Sequence, residues 1–94
     1  MIRHVTFRMD LSERLAREEA AKAAALLEME RYCEEHPRSP TAARRPKLLQ
    51  RGRSWVALLG TTLQDGIAGI GGTVVAALQA FDVQYSNSLK PPRS

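Results

Sequence analysis

Two residues whose side chains could bind a metal or act as nucleophiles, Cys33 and His36, lie three positions apart. On a helix this spacing places the thiol and the imidazole on nearly one face. A structural zinc site needs four such ligands, and His4 with scattered carboxylates does not complete the set. A Cys/His nucleophile pair needs a third group that orients the histidine, and none is evident. We therefore expect no metal, no cofactor and no catalytic residue, and the sequence does not predict an enzyme.

A glycine-rich stretch, GIAGIGG at residues 66–72, is the second candidate for chemistry. The dinucleotide-binding fingerprint is G-x-G-x-x-G, and a P-loop ends in lysine followed by serine or threonine. Gly69, Gly71 and Gly72 do not complete the first pattern, and no such lysine follows them. The glycines therefore predict turns and close backbone contacts in a small sheet.

A basic segment is the third candidate, and it provides the predicted binding residues. Residues 38–53 contain six lysines and arginines and no acidic residue, a composition that attracts phosphate groups. Two other interpretations stay open: a loop that only keeps the protein soluble, or one that docks on an acidic helix. Three prolines and no hydrophobic periodicity predict a linker or extended arm over residues 37–53. The predicted binding residues are Arg44, Arg45, Lys47, Arg51 and Arg53.

A long helix is predicted before the basic segment. Residues 11–36 contain neither glycine nor proline, and Pro37 ends the helix. Asp10 and Glu13 have the spacing of a capping box. Seven acidic and four basic residues between positions 13 and 36 give the helix a net charge of −3. Its apolar stripe has alanine between the two ends. Such a stripe fits two interpretations equally well: a largely solvated helix, or a helix that packs on a second copy or on a partner. The stripe consists of Leu11, Leu15, Leu26, Leu27, Met29 and Cys33.

Residues 54–86 predict a strand, a turn, a second strand and a capped helix. SWVALLG at 54–60 is a short apolar run, and Asp65-Gly66 is a hairpin signal before a second strand, IAGIG. Thr73 is a good N-cap for a helix whose apolar residues recur at positions 74, 78, 81 and 85. A third strand would come from residues 5–9 or from a dimer mate, and residues 87–94 are predicted to be a flexible tail.

The predicted fold class is therefore α+β: one domain with a long N-terminal helix, two or three antiparallel strands and a packed C-terminal helix. Residues 1–36 would form the short strand and long helix, 37–53 the linker, and 54–86 the sheet unit. Only 5% of the 94 residues are aromatic, so the core rests on aliphatic side chains. Because such a light core gains from a partner chain, we expect a homo-oligomer or a stable hetero-complex.

Localisation follows from the single cysteine and the N-terminal sequence. One cysteine excludes an intramolecular disulfide and fits a reducing compartment. MIRHVTFRMD has no apolar core of a secretory signal, so we expect a cytoplasmic protein. Residues 55–81 contain a single charged residue, so a single membrane span over this stretch is an alternative. That charge, Asp65, and the four glycines within residues 66–78 argue against a span, so a membrane partner is not expected.

The stretch WVALLGTTLQDGIAGIGGTVVAALQAFD resembles a pattern in small proteins of phages and prophages. Its strand–strand–helix order is similar to the half-barrel unit of HicB-type antitoxins, with Gly72-Thr73 and the run 76–78 in the corresponding places. Val74 and Val75 replace the usual acidic residues, and the Pro-x-x-Pro-Gly loop of the antitoxins is missing. The resemblance implies the local fold and a phage origin, as in anti-CRISPR proteins, rather than an antitoxin role.

Three functional hypotheses result. The first is a non-enzymatic, phage-derived interaction protein that binds and modulates or inhibits a host bacterial protein assembly. A net charge of +4 argues against a DNA mimic, which would be strongly acidic. The alternative is a nucleic-acid-binding or antitoxin-like module that uses the basic segment. The second alternative is the small membrane protein.

Overall fold

The computed structural model describes residues 11–89, which form three helices and a three-stranded antiparallel sheet with strand order β1-β2-β3. The predicted α+β class, with its long first helix and packed C-terminal helix, is confirmed. The predicted strand at residues 5–9, the Asp10 cap, His4 and the last five residues lie outside the described residues. In chain order the elements are α1 (Leu11–Glu35), α2 (Pro40–Arg44), β1 (Lys47–Arg51), β2 (Ser54–Leu59), β3 (Ile67–Gly71) and α3 (Val74–Ser88).

The third strand comes from residues that the sequence analysis assigned to a linker. That prediction was wrong, because residues 37–53 contain both α2 and β1. Pro40 starts α2, where a missing N–H costs nothing, and the Ser39 hydroxyl accepts a hydrogen bond from the Ala42 N–H at 3.1 Å. β1 joins β2 through a two-residue turn, in which Gly52 has φ +60°, as a glycine-first hairpin turn requires.

Cross-strand pairing assigns the side chains of the sheet to two faces. Paired residues share a face, so Leu48, Ala57 and Gly69 lie together on what we call the inner face. Leu48 and Ala57 belong to the hydrophobic cluster that the helices form, and Trp55, Leu59 and Ile67 of the same face pack against it. The other face, which we call the open face, consists of Lys47, Leu49, Arg51, Ser54, Val56, Leu58, Ala68 and Ile70.

α3 packs on the inner face at unusually short range. A Cβ added to Gly69 would lie 2.1 Å from the Phe81 nitrogen and 2.4 Å from the Ala77 oxygen. The predicted close backbone contact is therefore confirmed, as is the Thr73 cap, whose hydroxyl accepts from the Ala76 N–H at 3.0 Å. The helix extends to Ser88, two residues beyond the predicted boundary and into the predicted tail.

α1 is buried only in its second half. Met29, Tyr32 and Cys33 join the core, as does Ala25, whereas residues 11–20 are all exposed. The predicted apolar stripe is therefore only partly buried. Its leucines remain accessible: the exposed fractions are 67% for Leu11, 50% for Leu15, 50% for Leu26 and 67% for Leu27.

Residues 55–81, the alternative membrane span, divide into β2, β3 and the first part of α3 instead of one helix. In residues 11–89, none of the helices has the length and apolarity needed to cross a membrane. The Asp65-Gly66 turn forms the end of a seven-residue loop, 60–66, rather than a tight two-residue hairpin. Gly60 takes φ +120° in that loop, a conformation that favours glycine.

Candidate functional site: the open face and outer edge of the sheet

Of the five predicted binding residues, two make side-chain contacts with other elements of the fold and three do not. The Arg44 Nε donates to the Tyr85 hydroxyl at 2.7 Å, and its guanidinium lies 5.6 Å from the centre of that ring. Arg45 ends α2 with φ +50° and forms an ion pair with Glu30 of α1. The hydrogen bond to the Glu30 carboxylate raises the pKa of Arg45 above its usual value. Both side chains thus connect α2 to its neighbouring helices.

The other three predicted residues, Lys47, Arg51 and Arg53, are exposed and have no ion pair or side-chain hydrogen bond within residues 11–89. Lys47 and Arg51 share the open face, and the four residue steps from one to the other along β1 span about 13 Å. Arg53 lies in the turn that follows. We call these three residues the free cations.

The open face combines the free cations of β1 with an apolar surface. Three rows cross it: Lys47–Leu58–Ala68, Leu49–Val56–Ile70 and Arg51–Ser54. The face contains no acidic residue. Val56 and Leu58 of the central strand are buried, while Ile70 is 59% exposed and Leu49 is partly exposed. Solvent therefore meets aliphatic side chains beside positive charges, a surface suited to an acidic partner with apolar residues.

β1 is also an edge strand with unpaired backbone groups. A two-residue turn makes Arg51 and Ser54 a hydrogen-bonded pair, and such pairs alternate along an antiparallel ladder. The N–H and C=O groups of Leu48 and Gln50 therefore point away from β2. In the part of the chain that the structure describes, these four groups make no further backbone hydrogen bond. This outer edge could pair with another strand.

A cavity of about 400 Å³ runs along this edge, between β1 and the first half of α1. Its floor includes Leu48 and Trp55 of the inner face, and its other wall is α1. The residues that line it are Leu15, Glu18, Glu19, Lys22, Leu48, Leu49, Gln50 and Trp55. Because residues of both sheet faces contact the cavity, it follows the edge of the sheet rather than either face.

One polar cluster escaped the sequence analysis. Asp82 of α3 accepts hydrogen bonds from the Tyr32 hydroxyl at 2.6 Å, the Thr41 hydroxyl at 2.7 Å and the Thr41 N–H at 2.8 Å. Burial and the neighbouring Asp82 carboxylate raise the pKa of Tyr32, which stays a neutral donor. The sequence holds one signal for this cluster: Asp82 is an acidic residue on the same helix face as the apolar residues Leu78, Phe81 and Tyr85. The cluster joins three helices and is structural.

Cys33 and His36 have different surroundings. Cys33 is buried, and burial raises the pKa of its thiol, which opposes thiolate chemistry. The His36 ring lies instead beside Tyr32, with 4.5 Å between the ring centres. Over residues 11–89, no group of three or more histidine, cysteine, aspartate or glutamate side chains could hold a metal ion.

Cations, an apolar surface and a free strand edge therefore meet at β1. Comparison of the chain with models of protein families, with curated proteins and with solved structures found no match.

Proposed function

We propose that the chain is a non-enzymatic interaction protein that binds an acidic surface of a partner protein through the open face and the free cations. The observation that carries the proposal is that unpaired Lys47 and Arg51 lie beside accessible aliphatic side chains on a face without an acidic residue, with unpaired Arg53 in the adjoining turn. The resemblance to small phage proteins supports a host bacterial assembly as the partner. It also supports modulation or inhibition as the effect, an anti-CRISPR-like accessory role in the cytoplasm.

A protein partner accounts better than nucleic acid for the apolar part of the open face. Single-stranded nucleic acid is bound by basic grooves that add aromatic side chains for base stacking. The open face has no aromatic residue, and Tyr32, Trp55, Phe81 and Tyr85 lie in the core or pack against it. Partly exposed Leu49 and exposed Ile70 would instead face apolar residues of a protein.

Nucleic-acid binding remains the second candidate, because all three free cations are exposed and available to phosphates. Each neutralised phosphate of double-stranded DNA contributes about −0.9 to the slope of log K against log salt concentration, so three contacts would give roughly −2.7. Partner association of either kind, or with a second copy, fits the light aliphatic core, which gains from a partner chain.

The test is capture of partners by the tagged full chain from bacterial lysate, with and without nuclease. We expect a stoichiometric protein that stays bound after nuclease treatment and is lost when Lys47, Arg51 and Arg53 are changed together to Gln. The matched control changes three exposed cations that lie neither on β1 nor on the cavity wall, Arg17, Arg31 and Arg38, to Gln and removes the same net charge.

Two outcomes would overturn the protein-binding proposal. Bound material that disappears with nuclease would assign the free cations to nucleic acid. A partner that survives nuclease but binds the Lys47/Arg51/Arg53 variant as well as the wild type would place the interaction elsewhere on the chain.

A further inference from the structure

We propose that the outer edge of β1 accepts an extended segment of the partner as a fourth strand of the sheet, beneath α1. The segment would place apolar residues toward α1 and acidic residues beside Lys47 and Arg51. This inference rests on the proposed function and specifies how the partner is bound.

The backbone supplies the first argument. Leu48 and Gln50 each direct an N–H and a C=O outward, so an added strand would gain hydrogen bonds at both residues. Adding a strand to a sheet edge is a general mode of peptide recognition, in which alternate side chains provide the specificity.

The position of α1 supplies the second argument. Positions 11, 15, 18 and 22 continue the helical spacing of Ala25, Met29 and Tyr32, which pack in the core. This face of α1 therefore extends past the edge of the sheet, and the cavity of about 400 Å³ separates it from β1. A fourth strand would occupy that space and bring Leu15, which is half-exposed, into contact with apolar side chains.

Charge selects the side chains of the added strand. On the cavity side the added strand would meet the apolar side chains of Leu15, Leu48 and Trp55, and also Glu18, Glu19 and Lys22 of α1. Its residues there should be apolar, because the two glutamates make acidic residues unfavourable on this side. Its residues on the other side would lie beside Leu49, between Lys47 and Arg51, and should be acidic. The β1 strand of a second copy is a poor occupant, because antiparallel pairing would set cations against cations.

The edge can be tested without knowing the partner. A display library of random nine-residue peptides is selected on the full chain, and enriched peptides are synthesised and titrated. We expect peptides in which apolar and acidic residues alternate. Three results would overturn the proposal: enriched peptides whose apolar and polar residues do not alternate, alternating peptides with basic instead of acidic residues, or no enriched peptide.

Gln50→Pro removes the outward N–H without removing a hydrogen bond to β2, and Gln50→Ala is the matched control that keeps it. We expect the proline variant to bind about tenfold more weakly than the alanine variant, as loss of one hydrogen bond implies. Circular dichroism checks that both variants fold. Equal affinities would overturn strand addition.

Leu15→Glu provides an independent test that leaves the core intact, because Leu15 is exposed and lies only on the wall of the cavity. We expect it to weaken peptide binding at least tenfold, whereas Leu27→Glu, on the opposite side of α1, should have no effect. If the two variants bind equally, the cavity is not the site.

The captured partner then separates this inference from the proposed function. If the free-cation variant loses the partner but Gln50→Pro keeps it, the protein-binding function stands and strand addition is rejected. Retention of the partner by the free-cation variant would reject the function itself.

Discussion

Asp82 shows how a single residue fixes the relative positions of three helices. Its carboxylate lies on α3 and receives hydrogen bonds from Tyr32 on α1 and from the backbone and side chain of Thr41 on α2. A partly buried carboxylate would be costly without these donors. The cluster also places α2 so that β1 can begin three residues after the helix ends.

Tyr32→Phe should lower the free energy of unfolding at pH 7 by roughly 1.5–3 kcal/mol, because it removes a hydrogen bond to a charged acceptor. The pKa of Tyr32 is raised in the folded state above its unfolded value near 10. The stabilisation by this hydroxyl is therefore complete below about pH 10 and is lost as the pH rises toward the folded-state pKa. Urea unfolding of both proteins at pH 7, 10 and 11 measures the difference, which should shrink with pH.

The control for this comparison is Tyr85→Phe. Its hydroxyl only accepts a hydrogen bond from the exposed Arg44, so its loss should cost no more than about 0.5 kcal/mol. If the wild type and the Tyr32→Phe variant lose stability in parallel above pH 10, that result contradicts the assigned role of the Tyr32–Asp82 hydrogen bond.

At the scale of elements, the packing of α3 on β3 depends on the absence of a side chain at Gly69. The helix backbone occupies the space where a Cβ would lie, as the contact distances to Phe81 and Ala77 show. Phe81 and Leu78 are fully buried in the same interface, so the helix cannot move away without opening the core.

Gly69→Ala should therefore lower the free energy of unfolding by about 1–3 kcal/mol or more, as overpacking of a core does. Gly72→Ala is the matched control, because no heavy atom lies within 4 Å of its added Cβ. It should leave stability unchanged or raise it by up to about 1 kcal/mol. Thermal unfolding of the two variants provides the measurement, and equal losses would contradict the close packing at Gly69.

The sequence predicted α1, β2, β3 and α3 well, because each has a strong local pattern: helix formers, apolar runs between glycines, and a threonine cap. It failed for β1, whose residues include a single buried side chain, Leu48, and follow three prolines. The strand exists because the Gly52-Arg53 turn pairs it with β2, a tertiary interaction that local hydrophobicity does not encode. The glycine-first turn was the one available signal.

The site was predicted in part, for a related reason. The clustering of cations in the sequence identified the five basic residues, but contacts between elements decide which of them remain free. Tyr85 and Glu30 bind two of the five, Arg44 and Arg45. The three on β1 and its turn have no such partner within residues 11–89. The unfilled space under α1 could not be predicted either, because it depends on where the core ends along the helix.

At the scale of the whole molecule, charge and burial divide along the chain. The helical region from residue 13 to 36 has a net charge of −3, whereas residues 38–53 carry six cations and no acidic residue. The first half of α1 and the outer edge of β1 leave an accessible gap between these regions, lined by apolar residues and by Glu18, Glu19 and Lys22. A partner that fills the gap would contact both the cations and the overhanging helix.

The most direct test of this account is backbone hydrogen exchange of the full chain, free and saturated with the captured partner. We predict slower exchange in peptides that cover residues 47–59 and the first half of α1, with no change in α3. Slower exchange confined to α3 or to the second half of α1 would contradict binding at the open face and outer edge of the sheet.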